Sequence, residues 1–189
     1  MIVISTHAVF LQGKDIHGPP HAISEWLNGR KIEHMFIKHD LFGKLSTVVE
    51  TYSKGKQVAI QRHELPVSHP IVRYFRELVL TYRSLPQRKL DLYIGVDPLN
   101  ALLGILLRII GRSSRTIYFC ADFATKRFDQ PIMNMIYHSL DRLAMFGSSI
   151  TLSISQRIVD IRRENGLSES KPSNSRTHVS VSYTHLRAH

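Results

Sequence analysis

Residues 91–111, DLYIGVDPLNALLGILLRIIG, decide the fold class. Asp91 to Val96 is a compact apolar run of the kind buried in a parallel sheet. Asp97-Pro98 then opens a helix in the favoured way, with Asp as N-cap and Pro in the first turn, and Gly111 closes it. The helix over 98–110 is apolar nearly all round, which predicts deep packing. A short strand, a polar turn and an amphipathic or apolar helix make one βα unit.

The same unit recurs on both sides. Upstream, Met1 to Ser5 reads as a strand and about Pro20 to Asn28 as a helix that buries Ala22, Ile23, Trp26 and Leu27, with Gly29 as its left-handed stop. Lys31 to Lys38 reads as a second strand and Gln57 to Ile60 as a weaker third. A helix from about Pro70 to Arg83 sets Ile71, Phe75, Leu78, Val79 and Tyr82 on a packed face, with Arg73, Arg76 and Arg83 turned to water. Downstream, Thr116 to Cys120 is a strand. A helix begins at Asp129-Gln130-Pro131, carries Ile132, Ile136, Leu140 and Leu143, and ends at Gly147. Ser149 to Ser153 is the last strand and Gln156 to Glu164 the last helix. About six strands alternating with helices predict an α/β, Rossmann-like fold: a mostly parallel sheet with helices on both faces.

Composition sets outer bounds. The chain has 189 residues, 43% of them hydrophobic and 21% charged, which suits an ordinary globular fold and excludes a fibre, a coiled coil or a disordered chain. One cysteine, Cys120, excludes a disulfide framework and fits a reducing, cytoplasmic compartment. The formal charge of +10 favours an anionic partner: nucleic acid, acidic lipid or a phosphorylated small molecule. No leader is legible at Met1-Ile2-Val3-Ile4, and the apolar run from Ala101 to Ile110 falls short of a membrane span. From Lys171 the text turns to KPSNSRTHVSVSYTHLRAH, which reads as appended; residues 1–168 are expected to fold and 169–189 to form a disordered or non-native tail.

In parallel sheets, ligands gather at the carboxyl ends of the strands. Four turns qualify: Thr6 to Pro19, Val96 to Asp97, Ala121 to Gln130, and Ile154 to Gln156. The first carries Gly13, Lys14, His17, Gly18 and His21 around a helix start, a pattern suited to a phosphate or a sugar hydroxyl. It is neither a dinucleotide fingerprint nor a P-loop. The third turn places Asp122 beside Lys126, Arg127 and two aromatics, where a carboxylate can activate a hydroxyl. Asp97 is a helix cap on the same rim, and Ser155 closes the set at the last strand. The histidines are scattered, and Pro19 and Pro20 break the His17–His21 spacing, so no metal site is expected.

Four segments then carry a resemblance: HGPPHAISEWL, GVDPLNALLGILLR, IYFCADFATKRFDQPIMNMIYHSLDR and LSISQRIVDIRRENGL. Together, in this order, they resemble the N-terminal domain of family-four-like GT-B glycosyltransferases over roughly Met1 to Leu167. The resemblance implies a two-domain enzyme that moves a sugar from a nucleotide-sugar donor to a saccharide or lipid-linked acceptor, with no permanently bound cofactor and no metal. It implies Asp122 and His21 as catalytic residues, with Gly13 and Gly18 as substrate contacts near the donor phosphates and Arg127 and Ser155 on the same rim; Lys14, His17 and Asp97 are expected to join the substrate contacts from their places on the turns. The loop lacks a Gly-Gly pair, and Asp122 stands where many relatives carry histidine. The donor-binding C-terminal domain is expected beyond this chain, which leaves the fragment alone inactive. Arg73, Arg76, Arg83, Arg88 and Lys89 suggest peripheral docking on an anionic membrane surface. A non-catalytic basic module that binds nucleic acid or an anionic membrane is the alternative, although the basic residues form no aromatic-basic RNA motif.

Overall fold

A computed structural model describes residues 1–11, 14–66, 68–165 and 179–180. In chain order the elements are β1 (Ile2–Ala8), β2 (Phe10–Leu11), β3 (Lys14–Asp15), α1 (Pro19–Gly29), β4 (His34–Asp40), β5 (Thr47–Ser53), β6 (Lys56–His63) and α2 (Pro70–Ser84). There follow β7 (Leu92–Gly95), α3 (Pro98–Ile109), β8 (Thr116–Cys120), α4 (Pro131–Gly147), β9 (Ile150–Ser153), α5 (Gln156–Glu164) and β10 (Val179–Ser180).

The main sheet runs β10-β9-β8-β7-β1-β4-β5-β6. Its strands are parallel from β10 to β4, and β5 and β6 continue it antiparallel. This is an α/β, Rossmann-like architecture. After β1 the chain crosses to β4 on one side, while β7 leads to β8 on the other. β1 and β7 are neighbours, so the strand order reverses between them, and the crevice at their carboxyl ends is where such sheets bind ligands.

Apolar residues alternate across the sheet. One face stacks Val3, Met35, Ile37, Val49 and Tyr93 beneath Leu85 of the α2 end and Leu103 and Leu107 of α3. The opposite face stacks Ile4, Phe36, Ile94 and Phe119 with Leu27 of α1. Gly95 brings α3 down onto β7: a Cβ there would stand 2.3 Å from the backbone nitrogen of Ala101. Under α4 and α5 lies a charged centre, where Arg162 donates to Asp141 at 2.5 Å, both side chains fully buried, and the Tyr118 hydroxyl also donates to Asp141.

Several sequence expectations need correction. The segment expected to hold one weak strand holds the β5–β6 hairpin, turned by Lys54 and Gly55, both at positive φ. That pair of left-handed residues is what a two-residue hairpin turn requires. Gly29 is not the left-handed stop of α1; Lys31 takes that conformation, with φ 59°. Trp26, expected in the core, is 54% exposed and carries Arg30 over its ring at 4.3 Å.

The larger departures concern helix faces. On α2 the buried positions are Glu77 and Thr81, while Ile71, Val72, Phe75 and Tyr82 face outward on the side that bears Arg76 and Arg83. On α4 the inward face is Tyr137, Asp141, Ala144 and Met145; Ile132, Ile136 and Leu143 are exposed. The far end of α3 is likewise open at Leu106, Ile109 and Ile110, against the expectation of all-round packing. The basic residues assigned to one docking face are also divided. Arg73 lies along Glu77 and Tyr74, while Arg88 pairs with Glu33. Among the described residues no helix is long and apolar enough to cross a membrane. The expected tail lies outside the described residues except for Val179 and Ser180, which pair with Leu152 and Ser153.

Candidate functional site

Three of the four turns singled out in the sequence meet at the β1–β7 crevice. They line a cleft of about 790 Å³, within the range of small-molecule sites. Its floor is the end of β1 (Thr6, His7, Ala8) and the β7–α3 turn (Val96, Asp97, Pro98). One wall is α2, the other the β8–α4 segment and α4, and the start of α1 closes the third side.

The floor holds a chain of polar groups that sequence reasoning did not assemble. Asp97 caps α3 as expected, its Oδ1 accepting from the Asn100 backbone N–H at 3.0 Å. Its Oδ2 also accepts from His7 Nδ1 at 2.8 Å and from Asn100 Nδ2 at 2.6 Å. His7 Nε2 donates to Glu77 Oε2 on α2 at 3.0 Å. Ser5 Oγ donates to Asn100 Oδ1 at 2.6 Å and fixes the amide. Burial opposes a charge on His7, but the Asp97 and Glu77 carboxylates outweigh it and raise its pKa to about 10. In turn, despite burial, the His7 cation and the two Asn100 donors hold the Asp97 carboxyl far below the usual range. His39, 5.5 Å from His7 between the Thr47 and Thr81 hydroxyls, goes the other way: burial and the His7 charge push it down to about 3. His7 therefore stands as an imidazolium with both nitrogens engaged, a fixed bridge from the sheet to α2 rather than a free base.

The wall after β8 carries Asp122 and Arg127. Arg127 Nη1 donates to Asp122 Oδ2 at 3.2 Å and its guanidinium lies 5.2 Å from the Tyr137 ring centre. Asp122 is 72% exposed by its side chain, so its carboxylate is open to the cleft. The backbone amides of Arg127 and Phe128 both donate to Asn134 Oδ1, at 2.8 and 2.9 Å, which pins this segment to α4.

The start of α1 behaves differently from the expectation of an anion site. Pro19 and Pro20 occupy its first positions and have no N–H. The His21 amide donates to Gly18 O at 3.0 Å, and the Gly18 amide donates to His21 Nδ1 at 3.1 Å. These bonds leave the turn few donors for a phosphate. They also fix the tautomer of His21, whose Nε2 donates to Asp15 Oδ2 at 3.0 Å. Asp15 in turn accepts from Lys38 at 2.6 Å; burial resists, but Lys38 and His21 lower its pKa to about 2. With neither ring nitrogen free, His21 is a buried positioning residue that holds the β2–β3 hairpin to α1, not a catalytic base.

Of the remaining expected residues, His17 and Gly18 line the cleft, and the His17 ring stacks on His21 at 4.8 Å. Lys14 opens β3 and pairs with Leu11, and Gly13 lies outside the described residues. Ser155 sits at the N-cap of α5 and does not line the cleft, so the fourth turn is not part of it. Among the described residues no group of three or more His, Cys, Asp or Glu side chains could hold a metal ion. No protein-family model matches the chain, and no curated protein matches its sequence.

Proposed function

We propose that this chain is the acceptor-binding, N-terminal half of a GT-B glycosyltransferase, in which the cleft at the β1–β7 crevice receives the hydroxyl that is glycosylated. The observation that carries the reading is the exposed Asp122 carboxylate, held by Arg127 on an otherwise apolar wall and facing the polar His7–Asp97 floor. In the proposed step, the acceptor oxygen attacks the anomeric carbon of a nucleotide sugar. The bond from that carbon to the diphosphate breaks, the diphosphate leaves with the electron pair, and Asp122 takes the hydroxyl proton. The proline-blocked start of α1 gives the cleft little with which to hold the diphosphate, consistent with a donor site supplied by a second domain. Three of the four segments that resemble this family supply the start of α1, the β7–α3 turn and the β8–α4 wall; the end of β1 and α2 complete the cleft from outside them.

The test is transfer of labelled sugar from nucleotide-sugar donors to an alkyl glycoside, by the chain alone and by the chain joined to a donor-binding domain. Transfer is expected only in the joined protein, and Asp122→Asn is expected to lower it about 10²-fold or more. Full turnover by the chain alone refutes the half-enzyme reading, and an unimpaired Asp122→Asn refutes the role of the carboxylate.

A second reading rests on α2. Ile71, Val72, Phe75 and Tyr82 are exposed on the side that also bears Arg76 and Arg83, the pattern of a helix that lies in the interface of an anionic membrane. Peripheral docking at the cytoplasmic face would use this helix side.

A further inference from the structure

We infer that the ligand of this cleft is an amphiphile, with a neutral hydroxylated head at the β1–β7 floor and a hydrocarbon chain lying between α2 and α4. The inference rests on the acceptor reading above and narrows it to one class of acceptor.

The head end is set by charge. His7 is a cation between Asp97 and Glu77, Glu77 also pairs with Arg73, and Arg127 pairs with Asp122. The three cations are matched by three carboxylates, and the nearby helix start lends few N–H donors, so a bare phosphate finds no unpaired cation on this floor. A neutral head rich in hydroxyls finds carboxylate oxygens and guanidinium N–H groups within one crevice.

The chain end is set by the walls. Ile71, Phe75 and Leu78 of α2 face Met133, Ile136 and Leu140 of α4 across the cleft. Ile71, Phe75 and Ile136 are 62, 67 and 44% exposed, so apolar surface stands open to solvent where a sugar could make few hydrogen bonds. A free saccharide would leave this surface wet; a hydrocarbon chain covers it. The apolar wall is also continuous with the outward side of α2 through Ile71 and Phe75, which gives a long chain a path out of the cleft.

The test is binding of glucose, butyl, hexyl and octyl β-glucoside and octanol to the 189-residue chain by titration calorimetry, below the micelle concentration. A buried methylene contributes up to about fourfold in affinity. Octyl glucoside is therefore expected to bind at least tenfold more tightly than butyl glucoside. Phe75→Asp and Ile136→Asp, both at exposed positions and checked for folding by circular dichroism, are expected to bring octyl down to the butyl value. Ile109→Asp, on the open end of α3 outside the cleft, is expected to change nothing. Equal affinity for butyl and octyl glucosides, or an equal loss in Ile109→Asp, overturns the inference. Glucose binding as tightly as octyl glucoside overturns it while leaving the acceptor reading intact. Octanol binding as tightly as octyl glucoside shows that the head adds nothing, and overturns both the inference and the acceptor reading.

Discussion

Replacing Asp97 by Asn separates the charge on the cleft floor from the helix cap. Asn caps a helix about as well as Asp, and one oxygen remains to accept from the Asn100 amide. The second position, however, turns from an acceptor into a donor that faces two donors, His7 Nδ1–H and Asn100 Nδ2–H. Breaking a fully buried ion pair costs about 3–5 kcal/mol. Asp97 is 25% exposed and Glu77 still faces the ring, so a loss of about 2–3 kcal/mol is expected. The pH dependence is the sharper signature. Folded protein keeps the His7 proton up to about pH 10, whereas the unfolded chain releases it near 6.5. The stabilisation is complete below the unfolded value and is lost as pH rises through the folded one. Well between these two values the folded state holds this proton and the unfolded chain does not, so His7 contributes a fall in stability of up to about 1.4 kcal/mol per pH unit. Asp97→Asn should flatten that slope by lowering the folded pKa of His7. Urea unfolding followed by far-ultraviolet circular dichroism measures both effects; the one tryptophan, Trp26, is too exposed to report on the core. A loss under 0.5 kcal/mol, or a slope the same as wild type from pH 7 to 10, refutes the account of the floor as a charge-bridged unit.

Two other perturbations follow from the structure. Asp141→Asn leaves Arg162 buried without its carboxylate and should cost about 3–5 kcal/mol by the same urea titration, whereas an effect below 1 kcal/mol would mean the pair adds little. For α2, flotation with vesicles containing anionic phospholipid should carry the wild-type chain, and Val72→Asp with Phe75→Asp should abolish it; equal flotation of both proteins, or flotation with neutral vesicles alone, contradicts membrane docking by this helix side.

The βα repeat was legible because its signals are local. The Asp97-Pro98 start, the Gly111 and Gly147 ends, and the TIYFC strand all reappear at the expected places. Helix faces were less legible, since apolar spacing on α2 and α4 fits either a core face or a ligand-facing wall. On both helices the buried side instead carries a carboxylate, Glu77 or Asp141, matched to a cation from a distant element. Those partners are 70 and 21 residues away, and nothing in local spacing joins them. The same limit hid His7 among scattered histidines, although the cap residue Asp97 that binds it was identified. His21 stood out for its place at a helix start. The Pro19-Pro20 pair beside it held the correcting signal, because residues without N–H cannot offer an anion the donors of a helix N-terminus. The β5–β6 hairpin was legible only in part: Gln57 to Ile60 of its exposed second strand was read, but the buried first strand, Thr47–Ser53, was not, although its β-branched run leads straight into Lys54-Gly55.

The proposed acceptor role of the cleft is tested most directly by amide and side-chain NMR shifts of the labelled chain on titration with octyl β-glucoside. Saturable shifts are expected at Thr6, His7, Asp97, Asp122 and Arg127, with Phe75 and Ile136 moving in the same titration and the α3 end at Ile109 silent. Shifts absent from the β1–β7 crevice, or spread equally over Ile109 and the cleft, would contradict it.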